Sequence, residues 1–276
     1  MKKRSPGDIA LDAVMALAAL VFFSPFYICA VMALKTPQET ALSTIALPKA
    51  LNLSNFSLAI ERTNFMVSFF NSALVTALAS AGIVVLSAMC GYVVCRNMHR
   101  RFYRVMDRTL FVGIMIPFQV IMIPVYRMYK SLALLNTFPG IIILMIGTSV
   151  PYATFLIMGF VKTVPIELEE AAKIDGYGVF RTFWQIVFPL LQPIIATVGI
   201  LHVLWMWNEF TMSFIILQKE AMRTLPIQQY HFFGQFSINL NLGFASACLS
   251  MIPVILFFAF TQKLIISGIT SGAVKG

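Results

Sequence analysis

The sequence predicts an all-α integral membrane protein with six transmembrane helices. Of its 276 residues, 59% are hydrophobic and only 11% are charged, whereas soluble domains average about 45–50% apolar and about 25% charged residues. The mean hydropathy is +0.85. Such an apolar excess requires lipid as the solvent, and helices satisfy their backbone hydrogen bonds within each span.

Six apolar runs approach or exceed the roughly 20 residues that a spanning helix needs. In chain order they are residues 13–34, 69–95, 109–129, 139–161, 186–208 and 243–262. We interpret residues 1–276 as a single transmembrane domain. Pro25 in the first run and Pro117 and Pro124 in the third predict kinks, which neighbouring helices can accommodate.

Basic residues predict the orientation of these spans. Lys2-Lys3-Arg4 precedes an apolar run that is too long for a signal peptide, so we interpret the run as a retained first span. With the N-terminus inside, the inner segments contain 13 Lys and Arg residues and the outer segments contain 7. This bias predicts that both termini are cytoplasmic. The basic loop 96–104 is interpreted either as a topology anchor on anionic headgroups or as a specific partner site.

Several function classes are disfavoured by what the sequence contains. Because the net charge of +9 sits in short loops, it indicates membrane topology rather than nucleic acid. The cysteines lie in or beside apolar runs and are predicted to be buried residues, not disulfides or metal ligands: Cys29, Cys90, Cys95 and Cys248. A secondary transporter would need intramembrane carboxylates, and an ATPase a glycine loop followed by Lys-Ser or Lys-Thr. The predicted spans lack such carboxylates, which disfavours a secondary transporter. The sequence also lacks the ATPase motif, so we expect no enzymatic activity of the chain itself.

The polar inner loop, about residues 162–185, predicts a short surface helix followed by a glycine turn. Pro165 suits the first helical position. Three glutamates crowd the first turn, where the helix dipole favours negative charge: Glu167, Glu169 and Glu170. Gly176 permits a left-handed turn, and a second helix begins near Val179 and runs into the fifth span. A docking surface for a cytoplasmic protein and a lipid-bound amphipathic helix are both open, although the glutamates favour a protein partner.

The same loop resembles a known family signature. Glu170-Ala171-Ala172, Gly176, Ile186 and Phe188-Pro189 match the pattern Glu-Ala-Ala, three residues, Gly, nine residues, Ile, one residue, Leu-Pro, with Phe188 in place of Leu. This is the signature of permease subunits of binding-protein-dependent ABC importers. Three further stretches are similar to carbohydrate importers, especially to the smaller permease subunit of the maltose type. They are Trp205–Phe210, the outer loop from Leu225 to Gln235, and the C-terminal residues from Gly272 to Gly276.

The resemblance implies a type I ABC importer permease fold in a bacterial or archaeal cell (inner) membrane. It implies a second, homologous permease subunit, two ATPase subunits that bind ATP and Mg, and an extracytoplasmic solute-binding protein that delivers a sugar. No cofactor is expected on this chain. The residues implied to contact the ATPases are Glu170, Ala171, Ala172, Asp175 and Gly176 in the loop and Lys275 and Gly276 in the tail. Those implied to contact the binding protein are Gln228, Gly234 and Gln235.

Polar and aromatic side chains in or at the ends of spans are candidates for the solute path, because intramembrane polar groups are costly. These candidates are Asn71, Gln119, Trp205, Asn208 and Glu209. The alternative is that Asn71 caps a helix and that the tryptophans form an interfacial belt. In the maltose type the partner subunit supplies most sugar contacts. The outer segments 35–68 and 217–242 are long enough to form a surface for an extracytoplasmic partner.

Overall fold

The computed structural model describes residues 6–233 and 239–273, and every regular element within them is helical. This confirms the all-α prediction. The chain forms two compact units. The smaller unit comprises Met1–Met66 and Gln228–Val254, and the larger unit comprises Val67–Ile227 and Ile255–Gly276.

Fourteen α-helices occur in the described residues. They are α1 (Pro6–Ala33), α2 (Pro37–Leu42), α3 (Ser54–Arg62), α4 (Phe65–Arg96), α5 (Arg101–Met115), α6 (Phe118–Ser131), α7 (Phe138–Val161), α8 (Glu167–Ile174), α9 (Val179–Thr182), α10 (Phe188–Leu190), α11 (Gln192–Trp207), α12 (Thr211–Ile216), α13 (Leu225–Tyr230) and α14 (Leu240–Ala273). A π-helical turn, Phe183–Val187, joins α9 to α10, and a 3-10 turn spans Glu220–Met222.

Four of the helices are long and apolar enough to cross a membrane by themselves. Their spanning parts are Ala10–Ala33, Phe65–Arg96, Phe138–Val161 and Leu240–Gln262. Two further candidates are bent pairs, α5 with α6 and the Val179–Leu190 segment with α11. The described residues therefore contain four candidate spans, or up to six if each bent pair is one span.

The third predicted span is broken rather than kinked. Its two halves, α5 and α6, meet at an angle of 103°. The break falls at Ile116 and Pro117, which both have extended backbone angles. Proline disfavours the helical conformation at the residue before it, which explains the position of the break. Pro124 and Pro25 lie inside continuous helices, α6 and α1.

The fifth predicted span also differs from the expected continuous helix. The chain bends by 79° between α10 and α11, at Leu191. Pro193 has no N–H to donate to the carbonyl of Pro189, and Pro189 cannot donate to Gln185. The resulting loss of helical hydrogen bonds on both sides of Leu191 accounts for the bend and for the π-helical turn before it.

The core of the larger unit is built around α7. This helix packs against α5, α11 and α12, and it contributes the fully buried residues Ile141, Met145 and Ile157. On α4, a Cβ at Gly91 would lie only 3.2 Å from Cγ2 of Ile157, so a small residue is needed there. This close contact packs the C-terminal half of α4 against the C-terminal half of α7.

Candidate functional site

The inner loop has the helix-turn-helix form that the sequence predicts. Helix α8 begins at Glu167, two residues later than expected, because Pro165 lies in the connecting segment before it. The three glutamates occupy its first turn. Gly176 has φ +80°, which confirms the predicted left-handed turn, and α9 begins at Val179.

Two backbone hydrogen bonds close α8 in a Schellman motif. The N–H of Tyr177 donates to the carbonyl of Ala172 (2.8 Å), and the N–H of Gly176 donates to the carbonyl of Lys173 (3.1 Å). This pattern requires the residue after the helix cap to adopt the left-handed conformation, which glycine enters without strain. Asp175 is the capping residue. The turn therefore fixes where α8 ends and where the chain leaves it.

The three glutamates of α8 have two different environments. Glu167 and Glu170 are exposed, whereas Glu169 is only 5% exposed. The Oε1 atom of Glu169 lies 2.8 Å from Nε of Arg96, and its Oε2 accepts a 2.8 Å hydrogen bond from the hydroxyl of Tyr92. Glu169 therefore joins α8 to the end of α4, and only Glu167 and Glu170 remain available to a protein partner.

Arg96 binds two parts of the inner loop at once. In addition to Glu169, it donates from Nη2 to the carbonyl of Val164 at 2.8 Å. The side chains of Arg96 and Glu169 are 16% and 7% exposed, so this ion pair is shielded from water. Charge-assisted hydrogen bonds of this kind are stronger than those between neutral groups. We call Tyr92, Arg96 and Glu169 the anchor of α8.

Aromatic side chains pack the second half of the inner loop, after Gly176, against α4. The rings of Tyr92 and Phe183 are 5.4 Å apart, and Phe183 is 3% exposed. Trp184 and Phe188 pack beside Phe183 with centroids 5.1 and 5.8 Å from it. The guanidinium of Arg181 lies 4.0 Å above the ring of Tyr177. The loop is thus held on α4 by both polar and aromatic contacts.

The opposite face of α8 is presented to the surroundings. It consists of positions spaced i, i+3, i+4 and i+7, which share one helix face: Glu167, Glu170, Ala171 and Ile174, all of them exposed. Ile174 is 87% exposed, and Phe180 on α9 is 70% exposed. Neither residue was among the predicted contact residues, although an apolar residue in register with Glu170 on a polar helix was a usable signal.

Asn71, a candidate for the solute path, instead holds the segment that follows α12. Its Nδ2 donates to the carbonyls of Ala221 and Arg223, both at 3.0 Å. The adjacent Ser72 accepts the N–H of Leu225 at 2.9 Å. Asn71 is 9% exposed, so these bonds are largely shielded. The side chain acts as a clamp on residues 221–223, and it caps no end of α4, because it lies inside that helix.

We expect the variant Asn71→Asp to destabilise the protein by about 1–3 kcal/mol, because a carboxylate cannot donate to the two carbonyls. The matched control is Phe70→Leu at the neighbouring position, where the side chain is exposed and contributes no hydrogen bond. Thermal unfolding of the purified protein measures both changes. An Asn71→Asp variant with normal stability but altered solute specificity would support the solute-path hypothesis instead.

The other solute-path candidates are distributed over separate contacts. Glu209 accepts from the N–H groups of Met212 (2.6 Å) and Ser213 (2.9 Å) and so caps α12. Asn208 donates to the carbonyl of Leu204 at 2.8 Å. Trp205 is 47% exposed and Gln119 is exposed. Among these described candidates, no hydrogen bond joins one to another, and Gln119, Trp205 and Asn208 are exposed.

Several residues implied to contact partner proteins are buried or lie outside the described part of the chain. Gln228 is described and is 4% exposed, so a contact of its side chain with another protein would require it to leave its buried position. Ala172 on α8 is 3% exposed, whereas the adjacent Ala171 is exposed. Four further predicted contact residues lie outside the described residues: Gly234, Gln235, Lys275 and Gly276.

Comparisons with known proteins identify the family and the fold of this chain. The chain matches the family model described as the inner membrane component of binding-protein-dependent transport systems over residues 83–271. The solved structure of a bacterial ABC transporter that imports the acidic polysaccharide alginate matches with a TM-score of 0.78. That match has 20% identity and covers 95% of this chain and 99% of the other, which supports the shared fold.

Two curated relatives are similar over almost their whole length. The probable starch degradation products transport system permease protein AmyC of Thermoanaerobacterium thermosulfurigenes is 34% identical, with 93% of each chain covered. The melibiose/raffinose/stachyose import permease protein MelC of Bacillus subtilis is 35% identical, with 95% of this chain and 94% of the relative covered. Both are named as permease proteins and not as enzymes. Since the family model and both relatives cover most of the sequence, this chain belongs to the family of binding-protein-dependent transport system inner membrane components, as a multi-pass permease of the ABC importer type.

Proposed function

We propose that this chain forms half of the translocation path of an ATP-driven importer for a sugar or oligosaccharide. The family match supports import that depends on a binding protein. The substrate class is supported by the names of the two relatives, which refer to starch degradation products and to melibiose, raffinose and stachyose. The particular sugar is left open by this range.

The proposed complex contains a second, homologous permease subunit, two ATPase subunits and an extracytoplasmic solute-binding protein. ATP and Mg bind to the ATPases, and this chain supplies the mechanical contact. We place it in the cytoplasmic membrane of a bacterium or archaeon, with both termini and the inner loop in the cytoplasm. The excess of Lys and Arg in the inner segments supports this orientation.

The observation that carries the proposal is the two-sided construction of α8. One side is fixed to α4 by the buried anchor, and the other side presents Glu170, Ala171 and Ile174 outward. A helix that is rigidly held by its own chain can transmit a force applied to its exposed face. ATP-driven closure of the ATPases would thus move α8 and α4 together between inward-open and outward-open states.

The exposed apolar side chains suit a protein partner. Fully burying an isoleucine contributes about 1.5–3 kcal/mol, which corresponds to about a tenfold to hundredfold change in affinity. Ile174 and Phe180 together could therefore supply much of a docking contact. The exposed Glu170 beside them adds the option of an ion pair with a basic residue of the ATPase.

We expect Ile174→Asp to weaken ATPase binding by at least about tenfold, because the new carboxylate must lose water in the contact. The stability of the permease should be unchanged, since Ile174 is exposed. Lys173→Ala is the matched control, because Lys173 is exposed but lies outside the docking face. The measurements are retention of ATPase subunits on the purified permease and sugar uptake by proteoliposomes. Normal retention and uptake in Ile174→Asp would contradict the docking role of α8.

A further inference from the structure

Buried polar side chains hold the segment between α1 and α3, residues 34–53, against the end of α1. Lys35 is 1% exposed, and its Nζ donates to the carbonyl of Ser43 at 2.9 Å. Asn55 donates to the carbonyls of Ala33 and Lys35, both at 2.8 Å. Asn241 donates to the carbonyl of Lys35 at 3.0 Å. The end of α1 and the chain after it are thereby tied together by buried polar side chains.

Backbone groups in the same segment are also satisfied internally. The Oγ of Ser43 accepts from the N–H groups of Ile45 (3.3 Å) and Ala46 (3.1 Å). Glu39 accepts from the N–H groups of Thr36 (3.0 Å) and Lys49 (2.9 Å), and these two bonds lower the pKa of its carboxyl. Away from water, backbone groups need such partners. The segment meets this requirement at several positions.

The apolar side chains of this segment point in the opposite direction. Five of its large aliphatic side chains are between 63% and 84% exposed: Leu42, Ile45, Leu47, Leu51 and Leu53. We call these residues the aliphatic patch. Between Leu42 and Leu53 the one charged residue is the exposed Lys49, whose aliphatic stem allows its ammonium group to reach the headgroup level. A surface that exposes five large aliphatic side chains is adapted to an apolar environment.

One hydrogen bond indicates which apolar environment this is. The hydroxyl of Tyr27 donates to the carbonyl of Ile45 at 2.9 Å. Tyr27 lies six residues before the end of α1 at Ala33, which is about 9 Å along the helix axis at about 1.5 Å per residue. The chain after α1 therefore descends beside the span instead of rising away from it. The patch is also continuous with the exposed apolar surface of α1, where the side chains at positions 22, 23 and 26 are phenylalanines that are 77%, 69% and 55% exposed.

We propose that the aliphatic patch is inserted into the lipid bilayer, in the leaflet where α1 ends. Its leucines lie among the upper acyl chains, and the buried Lys35, Asn55 and Asn241 fix the segment from the other side. By the predicted orientation this is the outer leaflet. The segment 35–68 was expected to form a surface for an extracytoplasmic partner, and the proposal reassigns its residues 42–53 to lipid.

Tryptophan fluorescence in lipid vesicles tests this insertion. The variant Leu47→Trp places a probe in the patch, and Gln38→Trp places a matched probe on an exposed polar residue of α2. The complete complex is reconstituted in phosphatidylcholine brominated high on its acyl chains and, in parallel, in the unbrominated lipid. The signal of the wild-type complex, which contains the native tryptophans, is subtracted from each variant.

We expect the Leu47→Trp emission to be blue-shifted and quenched by the brominated lipid about threefold more than that of Gln38→Trp, since bromine at this depth lies within the hydrocarbon region. Addition of solute-binding protein should leave the Leu47→Trp signal unchanged. A water-like, unquenched emission would overturn the proposal. A blue-shifted emission that bromine does not quench would assign the patch to a protein contact, and a shift only after adding the binding protein would assign it to that partner.

Discussion

The variant Arg96→Met is expected to lose most of its sugar uptake and about 3–5 kcal/mol of stability, because it leaves the buried carboxylate of Glu169 without its cationic partner. It also removes the hydrogen bond to the carbonyl of Val164. Tyr92 alone would then connect the carboxylate of Glu169 to α4. Helix α8 would lose its fixed position, so movement of the ATPases would no longer reach the spans.

The double variant Arg96→Met, Glu169→Met tests whether the loss comes from the unpaired carboxylate of Glu169 or from the missing contact between α8 and α4. Replacing both partners of a buried ion pair by apolar residues is often nearly neutral or stabilising, so we expect the double variant to regain stability and much of the uptake. Arg101→Met, at an exposed arginine of the same basic loop, is the matched control. Thermal unfolding and uptake by proteoliposomes are measured in parallel. Wild-type stability and uptake in the single variant Arg96→Met would show that the anchor has no mechanical role.

The second large effect is expected at Gly176. Its φ of +80° costs a residue with a Cβ about 1–2 kcal/mol, and a β-branched residue is worse still. A Cβ at this position would meet no atom within 4 Å, so the cost comes from the backbone conformation and not from a clash with neighbours. We expect Gly176→Val to redirect the turn after α8 and to abolish stimulated ATP hydrolysis and uptake, while membrane insertion is retained.

A graded series sharpens this test. Asn tolerates the left-handed region better than Val, so Gly176→Asn should keep part of the coupling. Gly178→Ala is the matched control, because Gly178 has φ −73° and its Cβ would also meet no atom within 4 Å. ATP hydrolysis stimulated by the binding protein is measured in reconstituted complexes. Equal activity of Gly176→Val and Gly178→Ala would refute the requirement for the left-handed turn.

The local features of the inner loop were predictable because they depend on neighbouring residues. The acidic first turn of α8, the turn at Gly176 and the start of α9 at Val179 all follow from short-range rules of helix capping. The residues of the family signature, Glu170 to Pro189, lie in the same stretch. What failed locally was the start of α8, which was expected at Pro165 and lies two residues later.

The partners of polar side chains could not be predicted in this way. Glu169 and Tyr92 are 77 residues apart in the sequence, and Asn71 and Ala221 are 150 apart. The sequence offered three equivalent glutamates and one intramembrane asparagine. Only the packing of α8 on α4 separates Glu169 from Glu170, and only the position of residues 221–223 turns Asn71 from a solute-path candidate into a clamp.

Composition alone determined that this protein needs a bilayer, because no soluble fold could bury so much apolar surface. The sequence also determined the helical class and the form of the inner loop, since both depend on residues close together in the chain. The tertiary structure decided that two of the predicted spans form bent helix pairs, that one glutamate of α8 is an internal anchor, and that the segment after α1 exposes its leucines. These outcomes depend on which distant groups satisfy each buried donor and acceptor, and that pairing exists only after the helices have packed.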